Sequence, residues 1–144
     1  MARQQDAFAA VVAALERRDL TASELDQRLA RAGYADEARA DALERARRAG
    51  YLDDERVALE RARRLADRCL SDAAIRADLE RRGTPAELVE AALAATGDEQ
   101  ARADRLVLAG KVGGGARAAR ALARRGFSPE TVERALGRAV AEPL

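Results

Sequence analysis

The chain has 144 residues, with 26 basic and 25 acidic side chains, a formal net charge of +1 and no histidine. That length suits one compact domain or a few small repeats and is too short for a large enzyme. With no histidine and with Cys69 as the single cysteine, the chain cannot build a Ser-His-Asp triad, a Cys-His pair, a Cys/His zinc site or an internal disulfide from its own residues.

Met1 to Asp6 lacks the basic, apolar and small-residue order of a signal sequence, and the longest apolar run, Ala7 to Leu15, is far short of the roughly 20 residues that span a bilayer. The expectation is a cytoplasmic protein that does not enter membranes. Alanine supplies 37 residues, whereas leucine, isoleucine, valine and phenylalanine together supply 28, so the core should be thin. Alanine, arginine, leucine and glutamate are all good helix formers, and the balanced charge argues against a self-repelling disordered chain. The fold class is therefore all-α.

In chain order, Phe8, Val12 and Leu15 mark one face of a first helix. Thr21-Ala22-Ser23-Glu24 has the form of a capping box opening a second. Leu25 and Leu29, four residues apart, make its inward stripe, and Gly33 stops it. Gly50-Tyr51-Leu52-Asp53-Asp54 separates this unit from the next, with an aspartate to cap the following helix. Ala58, Ala62, Leu65 and Cys69 share one face, and Ile75, Leu79 and Gly83 repeat the stripe and stop. Thr84-Pro85-Ala86-Glu87 reads as a capping threonine, a proline in the first turn and a glutamate at the reciprocal position. Ala103, Leu106 and Val107 point inward after Gly97. Gly110-Lys111 with Gly113-Gly114-Gly115 resembles a phosphate loop only superficially, because Val112 stands where a magnesium-binding hydroxyl belongs, and it reads as a hinge. Ala118, Leu122 and Gly126 repeat the stripe a third time, and Ser128-Pro129 repeats the cap.

Three segments, Leu25 to Leu43, Ile75 to Leu93 and Ala118 to Leu136, align without gaps. With the helix that precedes each, they predict three tandem three-helix repeats over 1–50, 51–96 and 97–144. Units of about 40 residues are too small to stand alone, so they should stack into an elongated, curved solenoid whose function lies on a surface.

The candidate surface residues are arginines. Arg81 and Arg82, and again Arg124 and Arg125, precede the stop glycines, where a cation also suits the helix dipole and the free terminal carbonyls. Arg61, Arg63, Arg64, Arg68 and Arg76 form a second group, in which Arg61, Arg64 and Arg68 share one face, with Glu60 and Asp67 near enough to pair with part of it. Arginine outnumbers lysine 25 to one, which reads as coding bias and discounts any argument from guanidinium chemistry alone. Two tyrosines, two phenylalanines and no tryptophan leave little for stacking bases. Cys69 reads as a small core residue, and the carboxylates Asp53, Asp54 and Glu55 as a helix start. No metal site, cofactor loop or catalytic constellation is recognisable.

The stretch Gly50-Tyr51-Leu52-Asp53-Asp54-Glu55-Arg56, with the helix through Arg63, then Ile75 to Leu79 and Arg81-Arg82-Gly83, resembles the central motif of the RecX family of bacterial regulatory proteins. Leu15, Arg17-Arg18, Thr21, Ser23-Glu24-Leu25 and Leu29 to Tyr34 match its first repeat, and Leu122 to Phe127, Val132 and Leu136 its third. The resemblance implies tandem three-helix repeats and a non-enzymatic, monomeric protein without cofactors. It also implies binding to the RecA recombinase filament on single-stranded DNA, where such proteins inhibit strand exchange, ATP hydrolysis and co-protease activity, linking them to DNA repair, recombination and the SOS response. By that analogy Arg63, Arg64, Arg68, Arg76, Arg81, Arg82, Arg124 and Arg125 are the expected partner-binding or DNA-binding residues. A stand-alone helical DNA-binding protein is the alternative. The chain departs from the family at Cys69, at Ala73-Ala74, and at Arg39, which stands where the aligned helices carry Val89 and Val132.

Overall fold

The computed structural model describes residues 5–141. Among them are nine helices and no strand: α1 (Ala7–Arg17), α2 (Ala22–Arg31), α3 (Asp36–Arg48), α4 (Asp54–Asp67), α5 (Asp72–Arg81), α6 (Ala86–Ala94), α7 (Glu99–Leu108), α8 (Gly115–Arg124) and α9 (Pro129–Ala141). Within each consecutive triplet the first helix packs on the third, α1 on α3, α4 on α6 and α7 on α9, and the second lies against the third. Three separate apolar clusters result: one around Val11, Leu20, Leu25, Leu29 and Leu52, one around Leu65, Ile75, Leu79 and Val89, and one around Val107, Leu122, Phe127 and Val132. The inward stripes are where the spacing puts them, with Leu25, Leu29, Ile75, Leu79, Ala118 and Leu122 all buried. In α1 the inner face runs through Ala7, Val11 and Ala14, while Val12, Phe8 and Leu15 flank it half-buried.

Most caps follow the residues that suggested them. Thr21 and Glu24 form a reciprocal capping box, Asp53 accepts from Arg56 N–H at 3.1 Å, and the Ser128 hydroxyl accepts from Thr131 N–H at 3.2 Å. The Thr84 box does not form. Pro85 occupies the cap position of α6, the place that Ser128 takes ahead of α9, and makes no side-chain cap bond, while Thr84 is buried one residue earlier, in register with Phe127. Cys69 lies at the end of α4 as a buried residue with φ +59°, a left-handed conformation that elsewhere among the described residues is taken only by glycine.

The triplets are joined by one arrangement used twice. At the first joint Ala22 N–H donates to Asp54 Oδ1 at 2.9 Å, and at the second Asp72 N–H donates to Glu99 Oε1 at 3.0 Å. Both donors are the first residue of a middle helix, and both acceptors are the first residue of the next triplet's opening helix. Beside them, the Thr21 hydroxyl donates to the Arg82 carbonyl at 2.6 Å, and Ser71 N–H donates to the Arg125 carbonyl at 3.0 Å. The C-terminus of α5 therefore meets the N-terminus of α2, and the C-terminus of α8 meets that of α5. The three middle helices form a column with their dipoles aligned, and at each joint one donor at a helix start, the Thr21 hydroxyl or Ser71 N–H, meets a carbonyl at the end of the next middle helix.

Glycine is required where these ends meet. Gly83 has φ +78°, and a Cβ there would lie 2.4 Å from Ser23 Cβ; Gly126 has φ +92°, and a Cβ there would lie 2.4 Å from Ser71 Oγ. Thr21 itself is 1% exposed and serves the capping box and the joint with one hydroxyl. Thr21→Val keeps its shape and orphans both partners, so a loss of about 1–3 kcal/mol is expected in chemical denaturation, with Ser at this position restoring most of it.

Candidate interaction surface

The eight arginines singled out in the sequence fall into three structural situations. Arg63, Arg64 and Arg68 lie exposed on the outer face and end of α4, and no carboxylate lies within ion-pair distance of their guanidinium groups among the described residues. Their neighbour Arg61 is engaged differently. It grips Asp78 of α5 with two hydrogen bonds of 2.9 and 3.0 Å, tying the two helices together. Arg81 projects outward with 70% of its side chain exposed and only a loose 3.6 Å approach to Asp78.

Two of the eight are held as structural braces. Arg76 bonds both oxygens of Glu90 at 3.0 and 3.2 Å, linking α5 to α6. Arg39 does the corresponding work in the first triplet with reversed polarity, bonding Asp26 of α2 at 2.9 Å and the Tyr34 carbonyl at 2.8 Å. This accounts for an arginine where the other copies have valine. Arg82 reaches across the first joint to Glu24 at 3.3 Å and to the Asp19 carbonyl at 3.1 Å.

Arg125 stands at the position equivalent to Arg82, yet its environment differs for a reason visible in the alignment. Glu24 of the first joint is replaced by Ala74 at the second, so no carboxylate waits for the Arg125 guanidinium, whose bond is to the Ala121 carbonyl of its own helix at 3.3 Å. Arg125 and Arg124 instead line a concavity of about 370 Å³ with Lys111, Val112, Gly113, Arg117 and Ala121. Lys111 and Arg117 were not among the residues that sequence reasoning selected.

The Arg61 grip holds the Asp78 carboxyl below the usual carboxylate range, the hydrogen bond outweighing the opposing effect of burial. A depressed folded-state value means stabilisation that is complete above the unfolded value of about 3.9 and lost as pH falls through the folded one. Asp78→Asn should cost about 1–3 kcal/mol at neutral pH and less as the pH drops below about 4, read from urea midpoints across that range.

A further arginine outside the selected set is buried. Arg102 of α7, 3% exposed, donates to the carbonyls of Leu70 at 3.0 Å, Thr96 at 3.2 Å and Gly97 at 3.4 Å, and pairs with Asp72. It is the polar centre of the second joint. In the second triplet Val57 holds the corresponding place and is buried.

Among the described residues no group of His, Cys, Asp and Glu could hold a metal, and no helix is long and apolar enough to cross a membrane. What the geometry offers is a surface: unpaired cations at Arg63, Arg64 and Arg68, the exposed and loosely paired Arg81 at the end of α5, and a second set around α8.

Two solved structures share this architecture. The crystal structure of RecX from Lactobacillus salivarius matches with a TM-score of 0.79, covering 94% of this chain and 96% of its own, at 16% identity. The crystal structure of a regulatory protein RecX matches with a TM-score of 0.73, covering 89% of this chain and 70% of its own, at 18% identity. No protein-family model and no curated protein matches the chain. The all-helical fold is thus that of RecX over nearly the whole length, in keeping with the resemblance carried by Gly50 to Arg56.

Proposed function

We propose that this chain, which has the fold of RecX, is a non-enzymatic regulator that binds the RecA recombinase or its filament on single-stranded DNA and limits or destabilises the filament. The observation that carries this reading is the likeness in fold, which extends over 94% of the chain and takes in all three triplets. It is supported by the open cations Arg63, Arg64 and Arg68, which have no ion pair among the described residues, and by Arg81, exposed and held only loosely at 3.6 Å from Asp78, while Arg61, Arg76 and Arg82 are occupied. A series of small triplets can touch successive subunits of a filament, so modest contacts sum through multivalency. In this reading the protein acts as a monomer in the cytoplasm, and its contact with single-stranded DNA is made through the filament.

Arg76 and Arg82 then contribute by holding the surface in shape, and the direct contacts fall to the exposed group. Arg63→Glu with Arg64→Glu should weaken co-sedimentation with RecA filaments by about tenfold or more, more strongly at low salt, with helicity unchanged. Unchanged co-sedimentation in a folded variant would remove α4 from the interface.

A further inference from the structure

Each triplet has a groove between its opening helix and its third helix, and two of the three close it with an arginine. Arg45, Ala95 and Arg138 hold the same place in the aligned copies, two residues past Leu43, Leu93 and Leu136. In the first triplet the Arg45 guanidinium lies over the Phe8 ring of α1, 4.3 Å from its centroid. In the third, Arg138 of α9 pairs with Asp104 of α7, and Gln100 donates to Asp104 at 2.9 Å and to the Thr131 carbonyl at 3.1 Å. The second triplet has only the methyl group of Ala95 there. Its groove stays open as a cavity of about 110 Å³ lined by Glu55, Leu59, Leu88, Ala91, Ala92 and Ala95. Counted from the first residue of each opening helix, Leu59 stands where α7 has Asp104, so apolar walls replace the ion pair.

Glu55 and Leu88 also border a second depression of about 330 Å³, which adds Asp53 and Asp54. The one cation lining it, Arg47, is held by Glu44 at 3.0 Å, and the neighbouring Arg56 is engaged by Asp19 and Glu60. Among the described residues none of the carboxylates of Asp53, Asp54 and Glu55 has an ion-pair partner. The two depressions make one trough, apolar along α6 and acidic at the start of α4.

We propose that this trough docks a segment of another protein that inserts one arginine beside Leu59 and Ala95, filling from outside the place that Arg45 and Arg138 fill from within. The walls select that side chain, since its aliphatic stem covers leucine and alanine surface while the guanidinium meets the Glu55 carboxylate. Three unneutralised carboxylates repel a nucleic-acid backbone. A free guanidino compound would leave the acidic depression empty, whereas a chain segment with a second cation crosses both parts. The site lies on the N-terminal half of α4, away from Arg63, Arg64 and Arg68, and does not rest on the recombinase reading.

The test is an amide-resolved NMR titration of the full chain with a capped tetrapeptide of leucine, arginine, alanine and lysine. Its comparisons are the same peptide with citrulline in place of arginine, capped arginine alone, and the protein concentrated without peptide. The expected result is shifts confined to Glu55, Leu59, Leu88, Ala91 and Ala95, with the arginine peptide binding about two- to fivefold more tightly than its neutral counterpart. Glu55→Gln should erase that difference. Ala95→Arg should close the slot, abolish the shifts and raise the melting temperature; Glu55→Gln, at an exposed position, decides the matter even if Ala95→Arg does not fold. Absence of shifts, equal binding of the two peptides, or shifts that survive in folded Ala95→Arg overturns the proposal. So does a match between capped arginine and the peptide, which assigns the slot to a small guanidino compound, or the same shifts on concentrating the protein alone, which assign it to a second copy.

Discussion

Replacing Arg102 with alanine is expected to cost about 3–5 kcal/mol and to loosen the third triplet from the second. The side chain is almost fully buried and satisfies three backbone carbonyls and the Asp72 carboxylate at the joint. Removing it strands three carbonyl acceptors and empties a buried site, while the Asp72 carboxylate, 38% exposed, is partly taken up by water and adds less to the loss. Arg102→Lys should recover little, because one ammonium cannot reproduce a planar fork that serves carbonyls on both sides of the joint. Hydrogen exchange localises the effect: amides of α7, α8 and α9 should lose protection in the variant while those of α1 to α3 keep it. Uniform loss of protection would mean that the triplets unfold as one unit, against the reading of three small cores joined in series.

The second large effect is expected at Gly83. Gly83→Ala places a Cβ 2.4 Å from Ser23 Cβ and imposes a side chain on a φ of +78°. Strain of about 1–2 kcal/mol adds to overpacking of about 1–3 kcal/mol, since Ser23 Cβ cannot move without its backbone. Gly50→Ala is the matched control: φ is +84°, but nothing lies within 4 Å of the added atom, so only the strain remains. Thermal melts of the two variants should separate by several degrees. Equal melting temperatures would show that the helix ends do not meet as described.

Much of this fold is legible in the residues because the dominant signals are local. An apolar residue four before a leucine and eight before a glycine needs only helix geometry to be understood, and three copies of that spacing, at Leu25, Ile75 and Ala118, imply stacking. Thr21, Asp53 and Ser128 cap because their side chains are short and adjacent to the groups they satisfy. Thr84 does not cap because it stands one residue too early: the repeat puts it in register with the buried Phe127, and Pro85, which has no side-chain oxygen, falls at the position of Ser128. Arg102 was invisible for another reason, since its partners are set by the tertiary structure. Nothing near it in sequence announces that carbonyls from Leu70 and Gly97 converge on the place that Val57 fills one triplet earlier.

The interaction surface was legible only in part. The doubled arginines before the stop glycines read as a ladder of equivalent charges, yet Arg82 faces Glu24 and Arg125 faces Ala74, so one is neutralised and the other is not. The signal that would have drawn attention to Lys111 and Arg117 is an absence, the missing carboxylates between Asp104 and Glu130, which a search for basic motifs passes over.

Single-strand-dependent ATP hydrolysis by RecA from the same organism, titrated with this protein at two salt concentrations, tests the regulatory role most directly. Strong inhibition at well below one protein per recombinase, weakening as salt rises, is the predicted result and favours capping or disassembly of the filament over simple occupancy. An unchanged hydrolysis rate with the protein in excess at both salts would contradict it.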